Sequence, residues 1–428
     1  VRKVRIAGGA AGVVLAGVGL AWMPAAAQDG GPGPRMTFGL SQNFNFNDNL
    51  DLDVNSAGNS AQSFTGLSFG LLSETGISTL AFGAATDIRV LDGPNSNNTA
   101  ELDLDNTRVS LAYDRAVSNA ALAIDGSYTM NQIDTALTLP DFGPGADVPE
   151  DLGQLSGTGQ RRFYALGAAL SFGLDDPVSY ELTAGINGLD YANATDPDLT
   201  GNNRANLGAA MFVQLSPVDE GNIGLTWGNF NSYDPDVEDT TDLSLNMGVT
   251  RELTNGTVGV NAFVDGYSED SDSRAGFSLS RALELPAGAL SASIGATQLE
   301  GQSPEFTGAL SWQQEMAESA FNLGAVRAVT NNGDNVPQYV TGMRFGYDRE
   351  LSPLSQLGLD ISYSLTEDTQ SPDQTQTATF SAVYSRDVTE DWALDLGYTY
   401  SQREENSEGM ARSNAVFFGL RRAWELRP

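Results

Sequence analysis

The chain has 428 residues, with 22 Lys+Arg against 55 Asp+Glu, a formal charge of −33, no Cys and no His. It cannot build a disulfide framework, a thiol nucleophile, an imidazole base or a Ser-His-Asp triad, and so acidic a chain will not seek nucleic acid. With 40% apolar residues, 47 Gly and 18% charged residues it does not read as a disordered acidic tail either.

The first element is an address. Arg2, Lys3 and Arg5 form a positive start, Ile6 to Ala21 is apolar and rich in Gly and Ala, and Pro24 precedes Ala25-Ala26-Ala27. This is the pattern of a secretory signal peptide over 1–27, removed before Gln28. The apolar run is a little short for a helix of about 20 residues across a bilayer. Residues 28–428 are then read as one domain.

Beyond about residue 35 the hydrophobic period is two, sustained over segments of about 10 to 14 residues. Leu122, Ile124, Tyr128 and Met130 alternate with Ala123, Asp125, Ser127 and Thr129. Leu357, Leu359, Ile361, Tyr363 and Leu365 alternate with Gly358, Asp360, Ser362, Ser364 and Thr366. The pattern predicts strands at 36–47, 62–72, 76–90, 101–114, 118–131, 160–173, 178–191, 204–215, 220–231, 241–253, 256–267, 274–285, 288–299, 304–315, 319–330, 338–350, 355–366, 375–388, 391–403 and 412–425. The first two are the weakest, because Gln42 interrupts one apolar face and 62–72 is Gly-rich.

The connections alternate in length. Short turns at 73–75, 115–117, 174–177, 216–219, 254–255, 286–287, 316–318, 351–354 and 389–390 take turns with longer links, of which 132–159 is the longest. A sandwich or a propeller gives no reason for that alternation. A transmembrane barrel does, with tight periplasmic turns on one rim and longer extracellular loops on the other. In lipid every backbone N–H and C=O needs a partner, which a sheet achieves only by closing on itself. The expected fold is all-β: a closed antiparallel up-and-down transmembrane β-barrel of about twenty strands, with both ends of the barrel in the periplasm and no plug domain.

Downgoing strands repeat an apolar residue, any residue and then Arg, as in Tyr113-Asp114-Arg115, Val249-Thr250-Arg251, Leu279-Ser280-Arg281, Tyr347-Asp348-Arg349, Tyr384-Ser385-Arg386 and Leu420-Arg421-Arg422. By parity each Arg shares the lipid face. An Arg at mid-membrane costs about 2–4 kcal/mol, but near the interface only about 0–1, where it can reach lipid phosphates beside a Tyr or Trp at headgroup depth. Tyr113, Arg115, Arg251, Arg281, Tyr347, Arg349, Tyr384, Arg386, Arg422 and Trp424 are therefore expected as inner-rim anchors.

On these features the sequence resembles Gram-negative outer-membrane β-barrel proteins, nearest to porin-like proteins of alphaproteobacteria. The resemblance rests on the signal peptide, the alternation, the loop asymmetry and a last strand carrying Val416, Phe418, Leu420 and Trp424 on one face. It implies contact with outer-membrane lipid and lipopolysaccharide, and reading of the last strand by the barrel-insertion machinery. Arg422 on the lipid side and the four residues after Trp424 depart from the usual insertion signal. Outer-membrane enzyme families use a catalytic His, so no enzyme is expected, and no motif calls for a cofactor.

The favoured reading is a passive diffusion channel. Parity turns Asp87, Asp125, Glu181, Asp265, Asp348, Asp360 and Asp395 inward, together with Arg89, Arg108 and Arg344, a wall that should favour cations modestly. In general porins the third loop folds inward. Here that loop, 132–159, carries Asp134, Asp141, Asp147, Glu150 and Asp151 and is expected to make the constriction. Two other readings stay open. One is a surface-structural or binding protein whose acidic outer loops bridge divalent cations or lipopolysaccharide by oxygen ligation, although no EF-hand spacing is present. The other is a polysaccharide export barrel.

Overall fold

The computed structural model describes residues 33–94, 101–135, 142, 148–268, 273–369, 374–406 and 409–427. The proposed signal peptide lies outside them. Twenty strands follow one another: β1 (Arg35–Asn47), β2 (Ser60–Glu74), β3 (Ser78–Asp92), β4 (Glu101–Val117), β5 (Ala120–Gln132), β6 (Gln160–Phe172), β7 (Val178–Ala192), β8 (Asn202–Gln214), β9 (Asp219–Ser232), β10 (Thr240–Leu253), β11 (Gly256–Tyr267), β12 (Arg274–Leu285), β13 (Gly288–Leu299), β14 (Glu305–Glu315), β15 (Ser319–Asn331), β16 (Pro337–Ser352), β17 (Ser355–Asp368), β18 (Gln374–Asp387), β19 (Trp392–Glu405) and β20 (Gly409–Leu426). Each pairs antiparallel with its chain neighbours, and β1 pairs with β20 from Met36↔Leu426 to Asn47↔Ala415, so the sheet has no edge.

The two-residue period becomes two faces. Leu279, Ile294 and Val260 lie exposed on the outside, with Leu279 in register with both of the others. Phe44 stacks on Phe418 at 5.6 Å across the closing seam. An outward apolar belt of this kind is stable only against lipid, because in water it would be a large unpaired apolar patch. Gln42, the residue that breaks the outer face of β1, is satisfied within the wall. It donates to Ser63 Oγ at 2.8 Å and accepts from Thr65 Oγ1 at 2.8 Å.

Long and short connections alternate as expected up to the last hairpin, where the two rims become nearly equal. The β18–β19 link is 388–391 and the β19–β20 link only 406–408, because β19 and β20 continue their pairing to Glu405↔Gly409. A second departure from simple alternation lies in β4. Asn106 adopts φ 47°, in the left-handed region, and the β3–β4 register shifts between Ala85 and Asp87. The extra residue reverses the faces beyond it. Arg108 faces inward, and Asp105 faces inward as well. There Asp105 is fully buried and accepts the backbone N–H of Asn106 and of Gln132, each at 2.8 Å.

The most deeply buried apolar side chains are found inside the barrel. Ile133, Phe142 and Leu155 of the β5–β6 loop, and Leu189, Phe230, Leu299 and Val340 on inward positions of the wall, are all at most 6% exposed. The inner face is thus more than a polar, small-residue surface.

Candidate functional site: the lumen and the loop that crosses it

The loop between β5 and β6 begins with a single 3-10 turn, Ile133–Thr135, and returns at Gln160. At its start the Asp134 carboxylate receives both terminal nitrogens of Arg89, at 2.9 and 2.6 Å, with both side chains almost wholly buried. Phe142 lies against the opposite wall. A Cβ on Gly342 of β16 would overlap its ring, and a Cβ on Gly324 of β15 would overlap its carbonyl group. β15 stands ten strands from β5 in a ring of twenty, so the chain has crossed the full width of the lumen.

The returning part of the loop is tied at several points. Glu150 accepts from Asn202 Nδ2 at 2.7 Å and lies 3.0 Å from Arg204. Asp151 accepts from Arg161 Nη2 at 2.8 Å, from Arg161 Nε, and from the Tyr191 hydroxyl at 2.6 Å. The Gly153 carbonyl accepts from Thr375 Oγ1 at 3.2 Å, and Arg403 donates to the Leu155 carbonyl. Gln154 reaches Asp334 of the β15–β16 loop at 3.3 Å. One loop therefore binds to strands around most of the circumference.

The two buried acids differ in their electrostatics. Burial alone would push the Asp151 carboxyl up. Arg161 and the Tyr191 hydroxyl outweigh burial and hold it below the ordinary value of 3.8. For Glu150 burial prevails over Arg204 and Asn202, and its carboxyl sits above the ordinary 4.5. Asp151 keeps its charge to lower pH than a free aspartate, whereas Glu150 takes up a proton more readily than a free glutamate.

Of the five loop acids singled out in the sequence, Asp134, Glu150 and Asp151 each meet a wall arginine; Asp141 and Asp147 lie outside the described residues. The lumen charges divide into two groups. Asp265 is bound by Arg274 Nε at 2.6 Å and Ser244 at 2.6 Å, Asp360 by Arg344 Nε at 2.8 Å, and Asp395 by Ser385 at 2.6 Å with Arg421 at 3.5 Å. Asp87 accepts from Asn106 at 3.0 Å and lies near Arg108. Asp125, Glu181 and Asp348 also occupy inward positions, and among the described residues no arginine pairs with them. Sequence reasoning missed Arg161, Arg204, Arg274, Arg403 and Arg421 as inward residues. All five lie within the predicted strands on the parity opposite the exposed apolar residues, so the alternation itself carried the signal.

The apolar-x-Arg repeats fall at the short-turn ends of β4, β10, β12, β16, β18 and β20. Arg115, in register with Leu122, follows Tyr113; Arg349 follows Tyr347, and Arg386 follows Tyr384. Arg281 donates to the Thr257 carbonyl at 2.9 Å and Arg251 lies 3.3 Å from Asp219. Arg422 bonds Asp391 at 2.9 Å and lies over the rings of Trp392 and Trp424, at 5.6 and 4.9 Å.

A closed twenty-stranded barrel with an apolar outer belt has the architecture of an outer-membrane β-barrel, and the outer membrane is where such a chain resides. No protein-family model matches the chain, and no curated protein matches it. Among solved structures it is similar to the siderophore receptor PirA from Pseudomonas aeruginosa, at 12% identity and a TM-score of 0.47, over 92% of this chain and 80% of that one. It is similar to the outer membrane protein OpdK from Pseudomonas aeruginosa, at 13% identity and a TM-score of 0.40, over 91% and 99% of the two chains. A BenF-like porin from Pseudomonas fluorescens gives 10% identity and a TM-score of 0.40, over 92% and 99%. Likenesses of this size concern the barrel and say nothing of what it carries.

Proposed function

We propose that this barrel is a passive, weakly cation-preferring diffusion channel for small hydrophilic solutes, with loop 133–159 as its constriction, no separate plug domain and no enzymatic role. The observation that carries this reading is the division of charge inside the wall. Arg89, Arg161 and Arg204 each pair with an acid of the crossing loop, while Asp125, Glu181 and Asp348 face the lumen without an arginine partner among the described residues. The basic residues are used as struts and the acids that remain set the field, which draws cations into a low-dielectric passage. A ring of about twenty strands is wide enough to leave water beside a single inserted loop, since 16–18 strands already enclose an aqueous channel.

The test is single-channel conductance of the refolded protein in planar bilayers under a KCl gradient. Stepwise currents with a reversal potential favouring K⁺, enlarged by deletion of 141–151, are expected. Absence of current from protein shown to be folded by heat-modifiable gel mobility would overturn the channel. Current unchanged by the deletion would overturn the constriction.

A further inference from the structure

On the long-loop rim a cavity of about 270 Å³ lies between the β1–β2 loop, the upper ends of β3 and β4, and the two feet of the crossing loop. At about 30 Å³ per water it has room for roughly nine waters. Three carboxylates line it, Asp51, Asp103 and Asp134, together with one cation, Arg89. The Arg89 guanidinium is committed: it is 2% exposed, gives a two-pronged ion pair to Asp134, and offers its remaining face to Gln62 once that amide is turned to present its oxygen. Two negative charges, on Asp51 and Asp103, are left facing the cavity. Burial pushes the Asp51 carboxyl up, the neighbouring Asp134 and Asp53 push it further, and Arg89 offsets only part of this. A separate observation points to the same place. Ser60 lines the same cavity, is 5% exposed, and its hydroxyl has no hydrogen-bond partner among the described residues. A buried hydroxyl left unpaired is destabilising, a penalty that a bound donor would remove.

We propose that this cavity is a binding site for a small organic cation bearing primary ammonium groups, held by Asp51 and Asp103 with one N–H donated to Ser60 Oγ. An ammonium supplies three donors and no acceptor, the complement of two carboxylates and a hydroxyl oxygen. The site does not depend on conduction, so a barrel that binds but does not conduct and one that conducts but does not bind are distinguishable results.

The experiment is isothermal titration calorimetry of 1,4-diaminobutane into the refolded, detergent-solubilised chain at neutral pH, with 1,4-butanediol as the uncharged control of equal length. Saturable binding of one diamine, no binding of the diol, and at least tenfold weaker binding in Asp51→Asn and in Asp103→Asn are expected. Ser60→Ala is expected to weaken binding several-fold. Ala57→Leu, from a loop residue that also lines the cavity, should weaken binding by filling the space without touching a charge. Each variant is checked by heat-modifiable mobility, and should one fail to fold, the others still decide. No saturable heat at millimolar diamine, equal heat from the diol, or unchanged affinity in the folded Asp51 and Ala57 variants would overturn the site.

Discussion

Gly324 and Gly342 show at the scale of single residues how the crossing loop is held. Both stand on inward positions of adjacent strands, and both leave the volume that Phe142 occupies. A side chain at either position meets the Phe142 ring or backbone, so Gly342→Leu is expected to expel Phe142 while leaving the strand pairing intact. Single-channel conductance should rise relative to the parent, with the same heat-modifiable mobility. Asp151 and Arg161 form the other strong point. Removing one partner of a buried ion pair leaves an uncompensated charge worth about 3–5 kcal/mol. Arg161→Met should therefore release the returning segment, seen as faster proteolysis between 148 and 159 and as larger, noisier currents.

The same residues predict a dependence on pH. Asp151 has a depressed value, so its contribution to docking is complete above 3.8 and is lost as pH falls through its lower, folded value. Glu150 has a raised value, so its contribution is present below 4.5 and is lost as pH rises through its folded value. Asp334, pushed up mainly by burial, acts in the same direction as Glu150. Docking should tighten as pH falls from neutrality into the mildly acidic range and loosen below the Asp151 value. Conductance against symmetric pH should pass through a minimum; a rise in conductance as pH falls from neutrality into the mildly acidic range would sink the assignment.

At the scale of elements, each strand presents a lipid face whose tolerance of charge depends on depth. Ile294 is central in β13 and 56% exposed, in register with Leu279, which stands two residues from Arg281 on the same face. Ile294→Arg is expected to cost about 2–4 kcal/mol and Arg at the rim position about 0–1, read as the shift in refolding yield into lipid vesicles across a urea series. The bulge at Asn106 shows an element the period alone could not describe. Strict alternation from Arg108 would turn Asp105 toward lipid, but a single left-handed residue turns it inward onto two backbone amides. The bulge shows in the sequence as a change of phase, from Leu102 and Leu104 on even positions to Val109 and Leu111 on odd ones, but the pattern does not say which residue between them is the extra one.

At the scale of the whole molecule, the charge inside the barrel decides selectivity. Asp125, Glu181 and Asp348 lie on β5, β7 and β16, strands far apart in sequence that only closure places around one passage. Replacing all three by Asn or Gln is expected to reduce K⁺ preference in a KCl gradient toward neutrality with little change in conductance. Replacing Glu150 and Asp151 should instead change conductance first, because those acids hold the loop.

The strand set, the outward face and the unequal rims were legible in the sequence, because a sheet in lipid must alternate every second residue and must close. Even β1 and β2 followed the pattern, with Gln42 satisfied by Ser63 and Thr65 across the strand pair. The path of the crossing loop was decided only by the tertiary structure. Phe142 meets Gly324 and Gly342 across nearly two hundred residues of chain, and Asp134 meets Arg89 through a wall that exists only once the barrel is closed. Periodicity reports on neighbours along and across a strand. Contacts across a lumen depend on the diameter and register of the whole ring, which no local pattern encodes.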